Sequence, residues 1–359
     1  MLRLLRPTAS PAVLQTHARS LSHAAMNAQE VGIDSVPLVD IAPLMAATRG
    51  RAIDPAQKRD ILAQLKDASL NTGFLTIPTA GVLPNGLIRA VYRRKDEFLA
   101  LPQDIKQKYH VKKVPNARGW TPLYEEPSYQ PGVISRLEGF DLAYELPASY
   151  LNQGSLGPNV WPHEISGFRQ DVYQLYEETT HLSHLMFQSF AEMLDLPANT
   201  FAQHVSETSE AFMRLLTYPE TDSPVKNSTV GIASHTDFEC FTIIHQNGEG
   251  LHLLNRQGQW VQAPACEDRL FIMIGDCLER WTNGLLKATE HRVVNSEKKR
   301  QSIVRFNGVD GDTVIQPLPQ FVSATNPARY AKTTQRQHIE EQINQAEEHL
   351  QEAKAAQSA

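Results

Sequence analysis

The stretch GIASHTDFECFTIIHQ, residues 231–246, decides how the chain folds. Its two short runs, 231–238 and 241–246, read as strands. The same pattern continues outward on both sides. Runs 212–218, 251–254, 260–263, 270–274, 287–294 and 301–307 also read as strands, with turns rich in Gly, Asn and Asp between them. Eight short strands with regular turns predict an antiparallel barrel or jelly roll.

Helical signals surround this core. Residues 54–70 read as an amphipathic helix with Ile61, Leu62, Leu65 and Ala68 on one face. A second helix runs through Tyr92, Phe98 and Leu101. The strongest spans 164–194, where Phe168, Val172, Leu175, Leu182, Met186, Phe190 and Met193 recur at helical spacing. His181 and His184 lie three apart on it. With no third ligand placed nearby, they read as ordinary helix histidines. Residues 36–44 alternate apolar and polar and open the folded part, and a short strand covers 73–77. Residues 111–162 are rich in Pro and Gly and read as long loops, which in a compact domain are often functional. A polar helix begins near 333, with Ile339, Ile343, Ala346 and Leu350 on its apolar stripe. The expected organisation is an N-terminal extension (1–29), an N-terminal region (30–163), a long support helix (164–200), a jelly-roll core (208–325) and a helical tail (326–359).

Composition narrows the function. The 359 residues carry a net charge of -6, with 21% charged and 41% hydrophobic residues. Nucleic acid as the main partner would need a concentrated positive surface, which this balance argues against. Cys240, Cys266 and Cys277 form no C-x-x-C pair, so neither a disulfide framework nor a cysteine zinc site is expected. No apolar run approaches the ~20 residues that span a bilayer. Residues 1–29 hold Arg3, Arg6 and Arg19 and no acid, the composition of a mitochondrial transit peptide or a disordered extension. The expected location is therefore cytoplasmic, or mitochondrial if that segment is a transit peptide.

Residues 235–237 carry the chemistry. His235 and Asp237 are two apart near the end of an expected strand, where side chains i and i+2 share a face. His291 stands in another expected strand. Two imidazoles and one carboxylate form the facial set of non-haem Fe(II) oxygenases, with positions left open for a chelating cosubstrate and O2. The triplet alone is weak, because such residues also occur in cores and turns. Arg300 and Ser302 strengthen it. On one face of a strand, a guanidinium and a hydroxyl make a fork for a carboxylate. The competing reading is a surface arginine in the basic run Lys298-Lys299-Arg300.

These residues resemble the iron/2-oxoglutarate-dependent dioxygenases of the isopenicillin N synthase-like family. The resemblance is carried by His235-Thr236-Asp237-Phe238, Gly275-Asp276, Arg280-Trp281-Thr282-Asn283-Gly284, Thr289-Glu290-His291-Arg292-Val293-Val294-Asn295 and Arg300-Gln301-Ser302. VPLVDIAPL (36–44), FLALP (98–102), RGWTPL (118–123) and EGFD (138–141) look like that family's N-terminal region. The resemblance implies a double-stranded β-helix (jelly roll), mainly β, with helices packed outside. It implies His235, Asp237 and His291 as iron ligands, Arg300, Ser302 and Tyr218 around the 2-oxoglutarate carboxylate, and Phe306 at the substrate. No catalytic side chain beyond the metal ligands is required.

The implied activity is Fe(II)-, 2-oxoglutarate- and O2-dependent hydroxylation, or desaturation or ring rearrangement, of a small molecule in secondary metabolism. The alternatives are a same-fold Fe(II) oxidase that does not use 2-oxoglutarate, and a non-catalytic ligand-binding barrel. A small-molecule partner, no nucleic acid, no membrane and a monomer are expected. Three positions depart from the family pattern. Leu216 replaces an Asn common in plant members, Thr79-Ala80-Gly81-Val82 replaces Asn-His-Gly-Val, and Arg305 stands where an aromatic or apolar residue is usual. Arg305 reads as a surface or rim charge, because strand alternation turns it away from Ser302.

Overall fold

The structure, a computed structural model, describes residues 29–30, 36–151, 153–221 and 229–358. Apart from Gln29, the expected N-terminal extension lies outside the described residues. Two sheets dominate. The larger has seven strands in the order Phe74–Pro78, Cys266–Ile274, Phe241–Gln246, Arg300–Asn307, Phe212–Tyr218, Glu138–Ala143 and Gly119–Thr121, all antiparallel to their neighbours. The smaller runs Gln29–Glu30, Trp260–Gln262, Leu251–Leu254, His291–Val293 and Ile232–His235. From residue 232 onward the chain alternates between the sheets, except at the hairpin Leu251–Leu254/Trp260–Gln262, which stays in the smaller one, and this makes the expected double-stranded β-helix. The segment before residue 163 supplies three of the seven large-sheet strands.

Strand alternation separates two cores. Leu216, Tyr218, Ile244, Phe271, Met273 and Val304 face the space between the sheets. Met213, Leu215, Ile243, Leu270, Ile272 and Ile303 face the opposite way and pack with the helices. Both faces are covered, so these strands read as apolar runs rather than as apolar–polar alternation. The main cover is the helix Phe168–Glu192. It lays Phe187 and Phe190 edge-on against Phe241, with ring centroids 4.9 and 5.2 Å apart. Each such ring taken fully from water contributes about 1.5–3 kcal/mol.

Local chemistry sets the boundaries. The long helix begins at Phe168 rather than 164 because Gly167, at φ 78°, turns the chain through the left-handed region. The expected 54–70 helix is Pro55–Asp67, capped by the Asp54 side chain accepting from the Ala56 N–H at 3.1 Å. It closes in a wider turn over Ala68–Thr72. Residues 36–44 do not form a full strand. Leu38 makes one bridge to Thr76, and the helix Ala42–Thr48 follows. The expected strand 231–238 stops at His235, and 287–294 is reduced to His291–Val293. The strand expected at 270–274 is longer, Cys266–Ile274, through a register shift between Cys266 and Phe271.

The tail helix Gln335–Ser358 lies across one end of the barrel. At its start, Gln335 Nε2 donates to the Phe238 carbonyl and His338 Nε2 sits 2.8 Å from Asp276 Oδ2. Further along, the Ala346 carbonyl accepts from the Ser128 N–H, and Leu350 and Ala353 pack on Ile134. The expected stripe is partly corrected: Ile343 is exposed, and Gln335, His338 and Ala353 join Ala346 and Leu350 on the buried face. Among the described residues no helix is long and apolar enough to cross a membrane.

Arg305 requires a correction. It does turn away from Ser302, but that face of the strand is covered by the long helix, and Arg305 is buried. Its guanidinium stacks 4.1 Å from the Tyr176 ring centroid and donates to the Tyr176 carbonyl and to Asn307 Oδ1. Arg305→Ala would leave Asn307 Oδ1 without its donor and open a cavity against Tyr176 in the core. The expected loss is about 2–4 kcal/mol, read from the urea midpoint. A loss below about 0.5 kcal/mol, usual for a surface position, would contradict this role.

Candidate active site

His235 closes the strand Ile232–His235 and His291 opens His291–Val293. The two are paired directly across the ladder. Their rings lie 4.2 Å apart between centroids. Asp237 has left the strand, and the turn after His235 brings its carboxylate between them. Asp237 Oδ1 is 3.7 Å from His235 Nε2 and 3.6 Å from His291 Nε2. One donor atom from each of the three residues falls within 4.8 Å of the others.

Each imidazole is oriented from behind. His235 Nδ1 meets the Ala233 carbonyl at 2.8 Å, and His291 Nδ1 meets the Thr289 carbonyl at 3.0 Å. A carbonyl only accepts, so each Nδ1 carries the proton and each Nε2 turns its lone pair toward Asp237. The Thr242 hydroxyl donates to Asp237 Oδ2. The Tyr129 ring stacks on His235 at 4.2 Å with 9° between planes. Burial first, then the adjacent His291, hold the His235 imidazole well below its ordinary range, so it is neutral and free to ligate. Burial pushes the Asp237 carboxyl up, against the opposing pull of His291 and the Thr242 hydroxyl. Two imidazoles, each with Nδ1 held by a carbonyl, and one carboxylate suit Fe(II) with open positions.

A second polar centre sits on the large sheet. Arg300 and Ser302 share the inner face of their strand and are buried, as is Tyr218, paired with Arg300 across the ladder. The guanidinium lies 4.6 Å from the Tyr218 ring centroid. Burial raises the Tyr218 phenol's pKa, with Arg300 opposing. Arg300 Nη2 donates to Gln246 Oε1 at 2.8 Å, but Arg300 Nε, Arg300 Nη1 and Ser302 Oγ have no partner among the described residues. Buried polar atoms without partners are costly. A free guanidinium donor beside a free hydroxyl suits a carboxylate. Phe306 continues the same strand face, half-buried against Phe212 at 4.7 Å.

Sequence reasoning missed Thr242, Gln246 and Tyr129. The first two could have been found, because they are polar residues at alternating positions in the apolar run 241–246 and so had to be buried. Tyr129 comes from the irregular 111–162 stretch and had no such signal. Gln246 orients Arg300: its Nε2 donates to the Ala263 and Pro264 carbonyls, both at 3.0 Å, which leaves Oε1 to accept. Gln246→Leu should raise the KM for 2-oxoglutarate about tenfold, the scale of one lost hydrogen bond to a charged group. An unchanged KM would remove Gln246 from that role. His181 is exposed and His184 half-buried, with no third ligand assembled around them among the described residues.

A jelly roll with a His–Asp–His set and an open guanidinium defines a non-haem iron oxygenase. Comparison with known proteins agrees. The 2OG-Fe(II) oxygenase superfamily profile matches residues 209–308, and the profile described as non-haem dioxygenase in morphine synthesis N-terminal matches 36–164. A 2-oxoglutarate-dependent dioxygenase of Aspergillus niger is 30% identical, covering 72% of this chain and 80% of its own. A homoarginine-6-hydroxylase of Glycine max is 28% identical, covering 81% and 91%. The crystal structure of a putative 2OG-Fe(II) oxygenase family protein from Caulobacter crescentus superposes with a TM-score of 0.73 at 26% identity, covering 87% of this chain and 99% of that one. The chain belongs to the 2OG-Fe(II) oxygenase superfamily. It is a non-haem dioxygenase that uses Fe(II), 2-oxoglutarate and O2 to oxidise a small molecule.

Proposed function

We propose that His235, Asp237 and His291 hold the iron, and that Arg300, Ser302 and Tyr218 bind the distal carboxylate of 2-oxoglutarate. The observation that carries this reading is that Arg300 Nε, Arg300 Nη1 and Ser302 Oγ have no partner among the described residues, on the same strand face as Val304 in the core between the sheets. When bound, iron and 2-oxoglutarate supply the oxidising power: 2-oxoglutarate loses CO2 to become succinate, one atom of O2 enters succinate and the other is available to the substrate.

The chain's own contribution is placement. Ala233 and Thr289 fix the imidazole tautomers, and Thr242 holds the carboxylate. Gln246 holds the Arg300 guanidinium in place through Nη2. Phe306 and Tyr129 line the substrate side. No side chain needs to donate or accept a proton during oxidation.

Hydroxylation is the reaction proposed, with desaturation and ring rearrangement as outcomes of a differently held substrate. Secondary metabolism is the proposed setting, supported by the fungal relatives, among them a clavatol oxidase of Penicillium crustosum. The protein is proposed to act as a monomer in the cytoplasm. Succinate formed per O2 consumed tests the central reading, with a ratio of about one expected in the presence of substrate. A ratio near zero would point to an oxidase that does not spend 2-oxoglutarate.

A further inference from the structure

Glu239 stands two residues beyond Asp237 and is 2% exposed. Its carboxyl group meets its own backbone N–H but makes no hydrogen bond or ion pair with any other described side chain. Its Cγ lies against Gly308, where an added Cβ would come within 3.3 Å of it and within 2.1 Å of the Glu210 carbonyl oxygen. Only glycine fits that wall. Gly308 directly follows the strand that carries Arg300, Ser302 and Phe306, so Glu239 lies at the end of that face remote from Arg300. The Tyr129 hydroxyl, on the ring stacked over His235, is likewise without a described partner.

Every other buried or half-buried carboxylate at this end is matched. Glu126 and Asp141 share Arg214, through contacts of 2.5 to 3.2 Å. Glu210 accepts from Arg336 at 3.1 Å, and Asp276 faces His338 at 2.8 Å. A buried carboxyl group with only its own backbone N–H for a partner is costly, and it is best satisfied by something that brings further donors with it. The surrounding acids would repel a second carboxylate and favour a positive group.

We propose that Glu239 is a specificity-determining residue that binds a protonated amine or guanidinium of the substrate, with the Tyr129 hydroxyl as a second acceptor. This rests on the iron site proposed above, so the test separates the two. Anaerobic protein is loaded with Fe(II) and 2-oxoglutarate, and the visible absorption of the chelate is followed. If no band forms, the iron reading fails, and this proposal falls with it. Once the band is present, the protein is titrated with benzylammonium, benzyl alcohol and phenylacetate, which share one skeleton.

Benzylammonium is expected to perturb the band with at least about tenfold higher affinity than either of the others, and Glu239→Gln should bring it within about threefold of benzyl alcohol. Equal affinities, a preference for phenylacetate, no response to benzylammonium up to its solubility, or an unchanged preference in Glu239→Gln would each overturn the proposal. Should Glu239→Gln fail to fold, Glu239→Asp keeps the charge but shortens its reach, and it should weaken benzylammonium binding about threefold to tenfold. No weakening would overturn the assignment.

Discussion

Asp237→Ala should reduce succinate formation by more than about a hundredfold while leaving a folded protein. Removing groups that merely support metal ligands already costs about 10–100-fold, and Asp237 is the only carboxylate among the three converging donors. Stability separates this prediction from simple damage. Burial disfavours the Asp237 charge in the metal-free protein, and Asp276 adds to that cost. Deleting the carboxyl group should therefore leave the metal-free Tm unchanged or higher. Fe(II) or Mn(II) at a hundred times its Kd should stabilise the parent by about 2.7 kcal/mol and the variant not at all. Turnover within tenfold of the parent, or a metal-induced shift retained in full, would remove Asp237 from the proposed iron site.

Arg300→Lys should raise the KM for 2-oxoglutarate by about 30- to 300-fold, with kcat at saturation changing far less. Lysine keeps the charge, so the change isolates geometry. The guanidinium is held by Gln246 through Nη2 and leaves Nε and Nη1 without a partner among the described residues, donors in fixed planar directions that a single ammonium cannot reproduce. The range corresponds to about 2–3.4 kcal/mol, within the cost of breaking one buried, charge-assisted contact. Ser302→Ala should follow the same pattern at about threefold to tenfold, because one neutral donor is lost. A fall in kcat at unchanged KM would place Arg300 elsewhere in the cycle.

Much of this architecture is legible in the amino-acid sequence. The runs at 212–218, 241–246 and 251–254 form strands with the expected ends, because each is short, apolar and bounded by turn residues. The runs at 231–238 and 287–294 were read too long, and the reason lies in the site. Asp237 comes beside His235 and His291 only because the chain leaves the ladder after His235. Thr289 likewise turns its carbonyl back onto His291 from outside the strand. Alternation correctly sent Arg305 away from Ser302, but it could not say what covers the far face. That cover comes from a helix more than a hundred residues upstream, and local periodicity carries no such information. Tyr129 escaped for a related reason: an irregular loop has no period, and its position depends on Glu126 reaching Arg214 and Ser128 reaching the tail helix.

The alternation of the chain between its two sheets has a mechanical consequence. His235 and His291 belong to the smaller layer, while Arg300, Ser302 and Gln246 belong to the larger. If iron and 2-oxoglutarate bind as proposed, gripped from both sides, they would act as a tie rod that resists sliding of one layer over the other. Loading should stiffen the short strands of the small layer most, since three or four residues of ladder hold them little by themselves. Slower amide exchange over 232–235 and 291–293, with little change along the well-covered strands of the large layer, would be its signature.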